Sequence, residues 1–131
     1  MNFKSLILIL FPVILLGCGT PQANVKKFGN LEIYYGKDVP VDYVTALGTF
    51  FKERGLINPD QTHSMKLVGT SRSYILKMIL NSDLESVPED KLVEIIYLER
   101  EIDSVVFDTP YVDVDFEIQI TDAYFNPLIT K

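Results

Sequence analysis

Tryptophan is missing from this chain of 131 residues, and cysteine and histidine occur once each, at Cys18 and His63. Those scarcities exclude several kinds of protein. A lone cysteine forbids an intramolecular disulfide, and one cysteine with one histidine is too little for a zinc-holding constellation, so neither a metal nor another cofactor is expected. Seven glycines and seven prolines are ordinary numbers for a globular chain, not those of a collagen-like or low-complexity one. No glycine-rich phosphate loop is present. Basic residues run short as well, 12 against 18 acidic for a net charge of −6, and they are scattered. Such a chain repels phosphate backbones, so nucleic acid is not an expected partner. What remains is 47% hydrophobic residues, enough for one small core.

The apolar residues are unevenly placed. The first seventeen positions hold twelve of them and a single charge, Lys4. Leu6 to Leu16 is an apolar run interrupted only by Pro12, and small Gly17 follows it, which is the grammar of a secretory signal peptide. At about 1.5 Å per residue, eleven helical residues cover only about half of a hydrocarbon core of roughly 30 Å, so a permanent spanning helix is not expected.

Leu15-Leu16-Gly17-Cys18 resembles the lipobox of bacterial lipoproteins, in which a small residue precedes a cysteine whose thiol takes up lipid. The resemblance implies a signal peptide over 1–17 and a lipidated, palmitate-type N-terminus at Cys18, with a tether running to residue 30. It also implies a bacterial cell-envelope protein held at the membrane through its anchor and facing the periplasm. Stable anchoring takes two or more acyl chains, because one chain holds a protein only marginally. Removing seventeen residues and their one lysine leaves 114 residues at a net charge of −7, so attachment is expected to be covalent and not electrostatic. Lys26 and Lys27 are two charges only, and read as solubilising residues of the tether.

From Leu31 the hydrophobic period changes several times. Leu31 to Gly36 alternates as a strand. Val41, Val44, Leu47 and Phe51 fall at helical spacing over about 40–54, with Pro40 in the first turn and Gly55 as the C-terminal cap. His63 to Gly69 and Ser73 to Leu80 read as a hairpin around GTSRS. Ser86-Val87-Pro88-Glu89 matches a capping box ahead of a helix over about 87–104. Val112, Val114, Phe116, Ile118 and Ile120 then alternate with polar residues, and a short strand is predicted near Phe125 to Thr130.

A strand with one polar face implies helices on one side of the sheet only. The prediction is therefore a single domain over 31–131 of α+β class: a two-layer sandwich in β-α-β-β-α-β order, with an antiparallel-rich sheet, helices on one face and a ferredoxin-like or similar arrangement.

Asp113, Asp115 and Glu117 form an acidic stripe that resembles a hard-cation site in composition. Same-face neighbours on a strand lie roughly 6.8 Å apart, however, so the stripe reads first as a solvated face and only secondarily as a binding site. His63 sits beside Ser64 instead of opposite it, and Glu99 and Glu101 lie on a helix surface where carboxylates are usually solvated. No enzyme activity is expected.

The chain beyond Leu31 also resembles a group of small, uncharacterised bacterial envelope domains. The resemblance rests on Glu32 to Tyr35, Ala46 to Gly48 with Phe50, Gly55, Val105 to Phe107, and Asp122, Phe125 and Leu128. It implies the α+β fold and transfers no catalytic residue; Pro40 stands where that group would carry a Ser or Thr helix cap. Tyr34, Tyr35, Tyr43, Tyr97, Tyr111 and Tyr124 are numerous for a domain of this size, and surface tyrosines suit interfaces. The function expected is a non-enzymatic interaction or accessory module that binds an envelope protein. The alternative is a small-ligand or cation-binding lipoprotein.

Overall fold

A hairpin stands where the sequence predicts the second half of the tether. The computed structural model describes residues 24–69, 72–79, 86–110 and 113–130; the expected signal peptide, Cys18 and Tyr111 lie outside them. β1 (Asn24–Phe28) pairs antiparallel with β2 (Leu31–Tyr35). The turn between them is Gly29-Asn30, with Gly29 at φ 60°, the left-handed conformation that a type II′ hairpin asks of its first central residue. β1 carries too few apolar residues to show a period, and its lysines suit an edge strand. Phe28 is its one core contact, its ring lying on the backbone of α1 at Gly48, where any β-carbon would collide with it. Lys26 Nζ donates to Thr45 Oγ1 at 2.7 Å.

α1 (Val41–Glu53) buries Val44, Leu47, Phe50 and Phe51, so the predicted stripe faces the core except at Val41, which is 47% exposed in the first turn. Pro40 is its N-cap and makes no side-chain capping bond. β3 (His63–Gly69) and β4 (Ser73–Ile79) form the expected antiparallel pair. α2 (Glu89–Ile102) starts two residues later than predicted, with Pro88 and not Ser86 as N-cap and no side-chain capping bond from it. A wide π-turn over Asp103–Phe107 continues α2 and buries both Val106 and Phe107. β6 (Asp115–Thr121) is the last long strand, and two short ones, β5 (Ser86–Val87) and β7 (Ile129–Thr130), pair in parallel.

The class is α+β, but the element order among the described residues, β-β-α-β-β-β-α-β-β, is not the clean β-α-β-β-α-β expected, because β1, β5 and β7 are added, and the sheet corrects the expected topology as well. Its order is β1-β2-β3-β4-β6, with β2–β3 and β4–β6 parallel and β1–β2 and β3–β4 antiparallel, so it is mixed and not antiparallel-rich. The first and last strands occupy opposite edges, which excludes the ferredoxin-like order. Both helices pack on one face: Tyr43 of α1 and Phe107 behind α2 meet each other's rings and that of Tyr74 on β4. Two crossovers that run in opposite directions, advance the same way across a sheet and lie on one face have opposite hands. One of them therefore departs from the usual right-handed rule. The ferredoxin-like order avoids this by stepping the second unit back across the sheet, whereas here it steps outward.

The core lies between that face and the helices, with Leu31, Ile33, Leu67, Leu76 and Ile102 wholly buried. Edge strand β6 is protected by α2, since Glu99 Oε2 accepts the Ile118 N–H at 2.9 Å. The opposite sheet face is partly covered by residues 122–128, which fold back so that Phe125 meets the Tyr34 ring edge-on at 6.2 Å and lies 6.0 Å from Lys66 Nζ.

Candidate functional site

The candidate residues predicted from sequence do not converge. Asp113, Asp115 and Glu117 are all exposed at the outer edge of the sheet. They share a shallow, predominantly polar depression with Glu99 and Asp103, but among the described residues no three acidic, histidine or cysteine side chains are grouped to hold a metal ion. Glu99 and Glu101 do not act together: Glu99 holds the β6 edge, while Glu101 accepts from Arg54 Nη1 and ties α2 to the end of α1. His63 serves a turn, its Nε2 accepting the Asn58 N–H at 3.3 Å and its backbone N–H donating to Asn30 O at 2.8 Å. Next to it on a strand, Ser64 points to the other face of the sheet. The tyrosines divide: Tyr74 is buried, with its phenol pushed above the ordinary value by burial and then by Tyr43, whereas Tyr97 and Tyr124 are 66% and 84% exposed.

The feature that sequence reading misses is an apolar cleft at the end of the sheet where β2 and β3 begin and β4 stops. Its construction starts at the end of α1. Gly55 takes φ 65°, the Gly55 N–H donates to Lys52 O at 3.2 Å, and the Leu56 N–H donates to Phe51 O at 3.0 Å. These are the two bonds of a Schellman motif, which brings the residue after the glycine back against the last turn. Leu56 is thereby held beside Phe51, and both line the cleft with Leu31, Met65, Met78 and Leu98. Thr62, His63 and Ser64 supply a polar wall. The volume is about 480 Å³, and among the described residues no charged side chain lines it.

The same end carries an unpartnered helix face. α2 runs counter to β6, with Leu98 level with the cleft and Phe107 stacked on Phe116 at the other end. The turns before Leu98 thus reach the cleft end, where Val93 is 50%, Ile96 48% and Tyr97 66% exposed. Positions 93, 96 and 97 lie on one helix face. Their spacing was legible in the sequence, but it adjoins the half-buried stripe of Leu92, Ile95 and Leu98 that leads to buried Ile102, so periodicity alone did not separate an exposed apolar face from a core-facing one. The chain matches no family model, no curated protein and no solved structure.

Proposed function

We propose that this is a lipid-anchored, periplasm-facing envelope protein without a catalytic role, which presents its apolar end to another envelope protein. The observation that carries the reading is the position of that end relative to the chain's start. Asn24 pairs with Tyr35, at the opposite end of the sheet from Leu31 and the cleft. Six peptide spans separate Cys18 from Asn24, a reach of at most about 20 Å. An anchor on Cys18 would hold the Asn24 end against the bilayer and turn the exposed face of α2 toward the envelope space. α2 carries Glu89, Asp90, Glu94, Glu99 and Glu101 against Lys91 and Arg100, so the fitting partner surface is an apolar strip with a basic rim.

Two measurements test this. Acyl labelling should occur on the native chain and disappear in Cys18→Ala; labelling that persists in the variant removes the anchor. A photo-crosslinking residue placed at Ile96 should give one defined adduct in intact envelopes, lost when Val93→Glu is added, and the same residue at exposed Asp42, near the other end, should not give it. Equal adducts from both positions, or none from Ile96, would defeat the docking reading. A second reading, small-ligand binding, is favoured by one specific observation, the uncharged cleft.

A further inference from the structure

We infer that the cleft between the end of α1, the start of β3 and Leu98 binds an uncharged hydrocarbon chain. The inference does not depend on the proposed protein contact, although both lie at the same end of the molecule. A volume of about 480 Å³ falls within the range of small-molecule sites, and the lining has their composition, mostly apolar with a few polar groups on one side.

Three details define the ligand. First, among the described residues no Asp, Glu, Lys or Arg lines the cleft, so a carboxylate or ammonium drawn into it would lose its water with no counter-charge. An uncharged chain has nothing to lose there. Second, Met65 and Met78 stand side by side as cross-strand partners in the wall. Unbranched thioether side chains adapt to a flexible, linear occupant better than branched ones do. Third, the polar wall is confined to Thr62, His63 and Ser64. His63 Nε2 accepts the Asn58 N–H. With the Ser64 side chain on the other sheet face, that wall offers the Thr62 hydroxyl and the His63 imidazole, groups suited to an alcohol or an ester. Leu56, which the Schellman turn holds at the mouth, remains 50% exposed, so the site has apolar surface left for a chain to cover.

The two methionines also make the test direct, because they are two of only three in the chain, the third being Met1. The full chain in lipid nanodiscs, labelled with ¹³C at the methionine methyls, is titrated with decanol. The Met65 and Met78 methyl resonances should move together and saturate. Leu56→Asp should weaken the apparent affinity by about tenfold or more, since a carboxylate at the mouth must be desolvated as the chain enters. Leu98→Phe, which fills the cleft without adding charge, should weaken it too, whereas Val93→Glu, outside the cleft, should leave it unchanged even where it abolishes the protein adduct.

Decanoyl lysophosphatidylcholine forms a second arm. Saturation by decanol alone assigns a free uncharged molecule, and saturation by both assigns a lipid tail whose headgroup stays in water. No saturable shift with either probe, shifts that survive both cleft variants, or tighter binding of decanoate than of decanol would overturn the inference.

Discussion

The two ends of the helix layer are built from the same elements and finish differently. At the Asn24 end the rings of Tyr43, Tyr74, Phe107 and Phe116 close on one another at centroid distances of 4.6 to 5.5 Å. At the other end Phe51, Leu56 and Leu98 face one another across a cleft. The difference originates in how each helix finishes. The wide turn after α2 buries the consecutive residues Val106 and Phe107 while leaving Val105 59% exposed, so two neighbouring side chains point inward and fill the space between helix and sheet. α1 instead closes in a glycine-dependent turn that places Leu56 at the cleft's mouth and sends the chain away. Identical packing physics therefore gives a sealed core at one end and an open apolar surface at the other.

Truncating one residue at each end should have the largest and most unequal effects. Phe107 is 1% exposed and touches three rings, so Phe107→Ala should cost about 3–5 kcal/mol, the range for deleting a fully packed aromatic side chain. Leu98 already borders a void. Leu98→Ala enlarges an existing opening instead of creating a cavity, and should cost about 1–2 kcal/mol, below the usual span for a buried leucine. Denaturant midpoints of the full chain measure both. Equal losses would mean that the two ends are equally well packed.

A smaller effect tests the hairpin that the sequence did not suggest. A β-carbon at Gly48 would run into the Phe28 ring, so Gly48→Ala should cost about 1–3 kcal/mol through overpacking. The loss should be local, with amide exchange accelerating over Asn24–Phe28 and little changed at Leu67 or Leu76. Gly36 meets nothing within 4 Å and has no positive φ, so Gly36→Ala should be close to neutral. If both alanines behave alike, β1 is not held by the Phe28 contact.

Those residues also mark how far the sequence could be read. Val114, Phe116 and Ile118 join the core and Ile120 is buried as their alternation predicts, Val112 lying outside the described residues, and the apolar stripe of α1 is buried from Val44 onward, because both signals depend only on local geometry. Strand pairing is not local. β-α-β-β-α-β order permits a sheet in which the second crossover steps back or one in which it steps outward, and no residue in the pattern distinguishes them. β1 was hidden because three of its five residues are Asn24, Lys26 and Lys27, although Gly29-Asn30 is a hairpin signal that could have revealed it. The cleft was illegible for another reason: an absence of packing between Leu56 and Leu98, 42 positions apart, leaves no mark on the sequence of either segment.

The smallest expected effect concerns the cover on the open sheet face, the third region with partly exposed apolar groups. Asp122 Oδ1 accepts the backbone N–H groups of Asn126 at 2.9 Å and Tyr124 at 2.8 Å, and Oδ2 accepts from Asn126 Nδ2 at 3.3 Å. The Asn126 backbone bond leads in holding the carboxyl below its ordinary value of 3.8; burial opposes it as the next largest effect, and the bonds from Tyr124 and the Asn126 side-chain amide add smaller downward contributions. A carboxyl with a depressed folded value binds its proton less readily than the unfolded chain does. Its contribution is therefore complete above the unfolded value and is lost as pH falls through the lower, folded one. Carboxyl-detected titration should place the Asp122 midpoint below the ordinary aspartate value, and Asn126→Ala should raise it. Protonation should also release the Phe125 ring from Tyr34, while Asp122→Asn should make that contact insensitive to pH across the same window. A contact that survives acid in the native chain would show that Phe125 is held without the Asp122 carboxylate, by Tyr34, Lys66 and the bond from Lys77 Nζ to its carbonyl oxygen, and that the cover, unlike the cleft end, is fixed by those contacts and not by its turn.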